Sequence, residues 1–214
     1  WPRKGPNSKT APIRHLMQRF ASGTITYSEA QKKDLLAKYP KLCILSAPNA
    51  LYLQKEMGGL ERPMDEVKNI IYVGRLVAAK KPLFLVKAFH KLLGLDTNLI
   101  IVGDGPERKK IDEYVETHNL ESRVQLTGHI NNFDKIKQLY ATSLVSVSPG
   151  YVGLSITQSF AFGVPMLISR NENHSPEIEA AEESSNAIFF QTDNQNDFCL
   201  KVEEIFKFNK VFFE

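Results

Sequence analysis

Hydrophobic positions along the chain fall into two spacings, short β-rich runs and longer segments with helical periodicity. From about residue 69 onward the two kinds alternate, as they do in βα units around a parallel sheet. The predicted strands are 69–73, 98–102, 124–127, 144–147, 166–169 and 188–190. The predicted helices are 81–93, 154–162 and 197–208, two more with apolar faces at 111–115 and 133–140, and one opening at 175–176. The pattern predicts an α/β fold: a doubly wound parallel sheet of about six strands with helices on both faces.

The first part of the chain has a different organisation. Strands are predicted over 23–27 and 42–46, and between them a helix over 29–38 follows a capping serine, Ser28. Two strands are too few for a sheet of their own. Residues 1–12 are polar and contain three prolines, so we expect them to be poorly ordered. We therefore divide the chain into a remnant of a second domain with its hinge, residues 1–48, and a main domain, residues 49–214. The segment that contains 48–50, 58–59 and Pro63 is expected to connect them.

Length and composition narrow the class of protein. A chain of 214 residues holds one full domain with some chain to spare, and its first residue, Trp1, indicates a piece of a longer protein. Hydrophobic residues make up 43% and charged residues 24%, which is typical of globular domains. No apolar run reaches the roughly 20 residues of a membrane span, and no secretory signal is visible. The net charge of +3 is dispersed, so we expect no nucleic-acid partner. Cys43 and Cys199 have neither disulfide nor ligand spacing, which favours a reducing cytoplasm.

Candidate chemistry lies in the loops that follow the predicted strands. Ligands of open parallel sheets bind outside the carboxyl ends of the strands, so these loops share one rim. Arg75 and Lys80 follow the first strand of the main domain. A glycine-containing loop, 149–155, follows the fourth and leads into a helix, whose first N–H groups suit a phosphate. Guanidinium binds phosphate oxygens as a fork and ammonium as a point charge, so the sequence predicts a phosphate-ligand site at this rim.

Other kinds of site find less support. Gly103-Asp104-Gly105 continues to Arg108 where a dinucleotide fingerprint needs its third glycine, which argues against a dehydrogenase. There is no nucleophile elbow and no His/Cys spacing typical of a metal, so we expect no metal. His129 and His174 follow predicted strands and remain candidates for a role in the site.

Taken together, the motifs resemble the carboxyl-terminal, donor-binding half of family 4 glycosyltransferases, which are retaining enzymes with two facing Rossmann-like domains. The resemblance rests on residues 73–76 with Lys80, 101–106, 124–128, 153–155 and 161–165, in the family's order and spacing. It implies a Rossmann-like main domain, and it identifies residues 1–48 as the end of the acceptor-binding domain. It also implies a nucleotide-diphosphate sugar as donor substrate, with no metal cofactor because two cations and a helix end take the metal's role.

The resemblance also assigns site residues. Arg75 and Lys80 would be catalytic, contacting the donor diphosphate and stabilising it as it departs. The amides of Leu154 and Ser155 would bind the same group, and the backbone near Ile130 would meet the nucleobase. The complete set of donor-binding positions is Gly74, Gly105, His129, Ile130, Gly150, Gly153, Leu154, Ser155 and Gln158.

One departure from the family concerns two glutamates that its members usually carry eight positions apart. Here those positions are Gly150 and Gln158. Glutamine can still bond ribose hydroxyls, but glycine removes the side chain nearest the sugar. With the later sequence of residues 174–179, this pattern resembles a divergent branch found among bacterial envelope-polysaccharide enzymes.

The leading hypothesis is transfer of a glycosyl group from a nucleotide-diphosphate sugar to a glycan or lipid-linked glycan, in bacterial surface polysaccharide synthesis. This chain would supply the donor-binding half and be inactive alone. We expect a cytoplasmic protein, with peripheral contact to the inner face of the cell membrane open to its missing domain. A non-catalytic nucleotide-binding module and a nucleotide-sugar epimerase are the alternatives.

Overall fold

A computed structural model describes residues 9, 11–53, 56, 62 and 67–212, the last four without their side chains. Most of the stretch expected to be poorly ordered, 1–12, lies outside this range, as do positions 58, 59 and 63 of the connecting segment. Ala11 and Pro12 are helical, which corrects that end of the prediction.

Helices and strands alternate through most of the described chain. The helices are α1 (Ala11–Phe20), α2 (Glu29–Lys38), α3 (Pro82–His90), α4 (Arg108–Thr117), α5 (Phe133–Ala141), α6 (Ser155–Ala161) and α7 (Gln195–Phe212). The strands are β1 (Thr24–Thr26), β2 (Ile44–Ser46), β3 (Asn69–Val73), β4 (Leu99–Val102), β5 (Val124–Gly128), β6 (Ser143–Ser148), β7 (Met166–Ser169) and β8 (Ala187–Phe190). Two short segments, Ala78–Lys80 and Pro176–Ala180, are 3-10 helices. The second shows that the helix predicted to open at Ser175-Pro176 has the tighter 3-10 form.

Six of the strands form one parallel sheet in the order β5-β4-β3-β6-β7-β8. When β3, the first strand of the main domain, is counted as strand 1, this is the strand order 3-2-1-4-5-6 of the doubly wound fold. The predicted fold class is therefore confirmed. Because β3 pairs with both β4 and β6, the chain leaves the middle of the sheet in two directions, and a crevice opens between the loops after β3 and β6.

Both faces of the sheet are buried, as the continuous apolar runs of its strands require. On β3, Ile70 and Tyr72 pack on one side with α3, α4 and α7. Ile71 points to the other side, where it packs with residues of α5 and the end of α6. Successive side chains of a strand face opposite ways, so this alternation places helices on both faces, as predicted.

The N-terminal part forms a small unit of its own. β1 and β2 pair in parallel, with Thr24 opposite Ile44, so these two strands do form a separate sheet, contrary to the expectation that they were too few for one. Ser28 caps α2 as predicted, since its Oγ accepts from the Gln31 amide at 3.2 Å. The division of the chain at residues 48 and 49 stays a prediction.

Helix α1 was missed by the sequence analysis. Its apolar residues are spaced as on one helix face, which is a signal that could have found it; they are Ile13, Leu16, Met17 and Phe20. All four side chains are exposed.

Candidate functional site

A cleft of about 430 Å³ lies at the crevice between the loops after β3 and β6. Seven of the eleven residues predicted for the site line it: Gly74, Arg75, Lys80, Gly153, Leu154, Ser155 and Gln158. The other four, Gly105, His129, Ile130 and Gly150, do not. The two predicted cations and the start of α6 therefore face one another across a single opening.

Lys80 is the buried cation of the cleft, with 9% of its surface exposed. Its Nζ donates to the carbonyl oxygen of Tyr151 at 2.9 Å and lies 4.0 Å from the centre of the Tyr151 ring. Burial, the largest cause, and the charge of Arg75 together lower the pKa of Lys80 to about 8, against an opposing effect of the Glu177 charge. The ammonium group thus carries charge at neutral pH, but in a place where that charge is poorly solvated.

Lys81 fixes the turn that carries Lys80. Its backbone is left-handed, with φ of 53°, which is uncommon for a residue with a Cβ. Its Nζ donates to carboxylates of Glu172 and Asp193, both at 2.6 Å, and so ties this turn to the loops after β7 and β8. Burial lowers the pKa of Lys81, but the hydrogen bonds that its ammonium group donates to the two carboxylates, with their charges, outweigh burial and raise the pKa above its ordinary value.

Arg75 is the exposed cation. Its backbone is fixed, because the Tyr72 hydroxyl donates to its carbonyl oxygen at 3.0 Å. Its guanidinium makes no hydrogen bond or ion pair with any other residue that the structure describes, so its donors are available to a ligand. A guanidinium held only at its backbone can adjust to a bidentate contact with phosphate oxygens.

Gly105 packs closely against the loop that carries Arg75. A Cβ at this position would lie 2.5 Å from the carbonyl oxygen of Leu76, so only glycine allows the two loops to approach so closely. Its amide N–H is already used, since it donates to Oδ1 of Asp104 at 2.7 Å. Gly105 therefore lies beside the cleft and does not line it.

Gly150 is also a position of close backbone approach. A Cβ there would overlap the carbonyl oxygen of Ala79 and lie 2.8 Å from Cα of Lys80. The 3-10 helix Ala78–Lys80 packs directly on the glycine loop and leaves no space for a side chain at 150. The absence of a glutamate at this position, noted in the sequence, is thus a requirement of the local packing.

His174 binds the glycine loop to the sheet. Its Nδ1 accepts from the Val152 amide at 3.0 Å, and its Nε2 donates to the carbonyl oxygen of Ser169 at 2.9 Å. Burial lowers the pKa of His174, which favours the neutral ring that these two bonds require. With both nitrogens occupied, this ring positions the loop and is no acid or base for a ligand.

The start of α6 carries the predicted amides of Leu154 and Ser155. No side chain caps this end of the helix, and the first amides of a helix have no partner four residues earlier. The helix has only seven residues. Its contribution is therefore that of a few N–H donors and not of a long dipole.

The remaining predicted residues lie around the cleft. His129 is exposed after β5, and Ile130 is half-buried against the apolar residues of α5. Gln158 lines the cleft, and its Nε2 donates to the hydroxyl of Tyr52 in the connecting segment. Tyr52 itself packs edge-on against Phe133, at 5.0 Å between ring centres.

Four lining residues were not among the predicted site residues: Val73, Tyr151, Ser175 and Glu177. The loop after β7 reaches the same rim as the others, so the rule that selected Arg75 could have selected Ser175 and Glu177 as well. Oε1 of Glu177 accepts from Nδ2 of Asn49 at 2.9 Å. Its Oε2 is buried and has no hydrogen-bond partner among the described residues.

Among the residues that the structure describes, no three His, Cys, Asp or Glu side chains gather as metal ligands. Within the same residues, none of the helices combines the length and apolar character needed to pass through a bilayer.

A protein-family model matches the part of the chain that contains the cleft. A family model described as glycosyl transferases group 1 matches residues 61–210, which is more than half of the chain. The chain belongs to this family. The residues that match this family include the whole six-stranded sheet and every residue that lines the cleft.

Individual proteins that are similar to this chain share fewer than a third of the aligned residues with it. It is 27% identical over 124 residues to N-acetyl-alpha-D-glucosaminyl L-malate synthase of Bacillus anthracis, a match that covers 56% of this chain and 32% of that protein. A mutant of S. aureus TarM, solved with fondaparinux, α-GlcNAc-glycerol and UDP, superposes with a TM-score of 0.72 at 19% identity over 97% of this chain and 42% of TarM. Anabaena HepE with UDP and glucose gives a TM-score of 0.70 at 17% identity, over 95% of this chain and 59% of HepE. The chain spans less than two thirds of each of these proteins, and the solved structures show a shared fold.

Proposed function

We propose that this chain is the donor-binding half of a glycosyltransferase that takes a nucleotide-diphosphate sugar. The observation that carries the proposal is the meeting of Arg75, Lys80 and the start of α6 in one cleft at the switch point of the sheet. Two related folds were solved with UDP, and this supports a uridine nucleotide as the first donor to test.

In the proposed mechanism the cleft stabilises the departing diphosphate. Negative charge grows on this group as the glycosidic bond breaks, and preorganised donors aimed at it lower the barrier. Arg75 supplies a fork of N–H donors, Lys80 a buried charge, and Leu154 and Ser155 backbone amides. These groups would take the place of a divalent metal. Retention of the sugar's configuration follows from the resemblance to family 4 enzymes and is part of the proposal.

The N-terminal unit supports the proposal that residues 1–48 end an acceptor-binding domain. It exposes large apolar side chains on α1 and on both short strands, including Phe20, Ile25 and Leu45. Exposed apolar surface is typical of a place where another part of a protein packs. The proposed acceptor is a glycan or lipid-linked glycan of a bacterial surface polysaccharide, made in the cytoplasm or at the inner face of the cell membrane. This chain alone would bind nucleotide weakly and transfer nothing, because it lacks closure by a second domain.

The full-length protein incubated with UDP-, GDP- and ADP-sugars tests the proposal. We expect slow donor hydrolysis or transfer with one nucleotide, and its loss in Arg75→Ala with the fold intact. Lys109→Ala, which removes one exposed charge on α4, is the matched control and should leave turnover unchanged. Near-parental turnover of Arg75→Ala would reject the assigned role.

The same incubation separates the alternatives. Binding of a nucleotide without turnover would favour a non-catalytic module, and a change of the sugar without its release would favour an epimerase. Epimerisation needs acid and base side chains, and one of its two histidine candidates, His174, has both ring nitrogens occupied. The structure therefore favours transfer over epimerisation.

A further inference from the structure

Glu177 places a negative charge in a cleft whose other charged groups, Arg75 and Lys80, attract anions. A carboxylate beside a diphosphate repels it, so Glu177 weakens the binding of that part of the ligand. It forms no ion pair with either cation among the described residues, and its charge acts on Lys80 only at longer range. The presence of Glu177 therefore calls for a part of the ligand that is uncharged and rich in hydrogen-bond donors.

One oxygen of the Glu177 carboxylate has a hydrogen-bond partner, and the other has none among the described residues. Oε1 is held by Nδ2 of Asn49 at 2.9 Å, which fixes the side chain from the connecting segment. Oε2 is buried at the wall of the cleft with no partner among the described residues. An unpartnered buried carboxylate oxygen is costly, and the terminal torsion of a glutamate is soft enough to turn it toward a donor.

We infer that Glu177 binds a hydroxyl of the donor's sugar, an inference that rests on the proposed function. Lys80 and Arg75 hold the diphosphate, and Glu177 lines the same cleft and accepts a hydrogen bond from Asn49 of the connecting segment. Position 150 offers no side chain for this contact, because Ala79 and Lys80 occupy the space. Asn49 acts as a positioning residue that orients the carboxylate.

The test compares two ligands on the full-length protein by calorimetry at pH 6.5, where Lys80 stays protonated. The ligands are a nucleoside diphosphate and the corresponding sugar nucleotide, chosen from the uridine, guanosine and adenosine pairs by which one binds. In Glu177→Gln we expect the sugar nucleotide to bind about tenfold or more weakly, since hydrogen bonds to charged groups are among the strongest. The nucleoside diphosphate should bind as well as before or better, because a repulsive charge is gone.

Glu179→Gln is the matched control. It removes the same charge from the same 3-10 helix, but this carboxylate accepts from the Ala30 amide and does not line the cleft. Both affinities should stay at the parental level. Should Glu177→Gln fail to fold, Asn49→Ala loosens the carboxylate without removing it, and only the sugar nucleotide should lose affinity, by several-fold.

Three other outcomes would overturn the inference. An equal loss for both ligands in Glu177→Gln would mean that the carboxylate serves Lys80 and not the sugar, which overturns the inference while leaving the proposed function. Unchanged affinity for both would also overturn it. A parent protein that binds none of the nucleotides would overturn the proposed function and the inference with it.

Discussion

Lys80 is the more buried cation of the cleft, and its protonation should control the binding of an anion. Burial, with help from Arg75, lowers its pKa from 10.5 to about 8. Below this value the ammonium group attracts a diphosphate, and above it the neutral amine does not. We therefore expect the affinity of the full-length protein for a nucleoside diphosphate to fall as the pH rises through about 8.

The size of the effect follows from the pKa. With a value near 8, about nine tenths of Lys80 is protonated at pH 7 and about one tenth at pH 9. If only the protonated form binds, the affinity falls about tenfold between these pH values, which corresponds to about 1.4 kcal/mol. A terminal phosphate with a pKa of about 6 is almost fully ionised over this range and contributes little to the change. A lysine with an ordinary pKa would leave the affinity nearly constant up to pH 9.

Calorimetric titration with UDP, GDP and ADP from pH 6.5 to 9 would measure the profile. Lys80→Arg provides the control, because guanidinium stays charged throughout. We expect a weaker but nearly flat profile for that variant, and any slope that it retains reports titration of the ligand. A flat profile for the parent, or the same fall in both proteins, would refute the reasoning.

Three further substitutions test how the cleft is built. Lys80→Met should raise the free energy of unfolding at pH 7 by about 1–3 kcal/mol, since the lowered pKa is worth about 3 kcal/mol and the lost bond to Tyr151 offsets part of it. Urea denaturation should show that this difference in the free energy of unfolding between the variant and the parent disappears between pH 8 and 10.5, because the folded parent loses the buried charge. Gly150→Ala should cost about 1–3 kcal/mol and reduce diphosphate binding, whereas Gly94→Ala, with open space at its Cβ, should change neither. Lys81→Met should lower the melting temperature, and by less at high salt, because it breaks two ion pairs.

The fold could be predicted because its sheet is buried on both faces. Strands such as β3 and β4 are continuous apolar runs separated by helix-length segments, and this pattern has few other solutions. The rim was predictable for the same reason, since the loops after parallel strands converge on one edge. Arg75, Lys80 and Leu154 accordingly share one cleft.

Features that depend on which side chains meet could not be predicted. The two bonds of His174 join Val152 in the glycine loop to Ser169 at the end of β7, and these residues become neighbours only after folding. The free oxygen of Glu177 likewise depends on Asn49, which is 128 positions away. The sequence placed residue 152 and His174 after predicted strands but contained no local signal for these hydrogen bonds.

The close packing of Ala78–Lys80 on the glycine loop connects the main features of the cleft. The same contact buries Lys80, lowers its pKa and removes the space for a side chain at position 150. A buried Lys80 and a large residue at 150 are therefore incompatible in this backbone. Among the described residues that line the cleft, Glu177 is the one carboxylate. The carboxylate that we propose for the donor sugar therefore comes from another element, the 3-10 helix after β7.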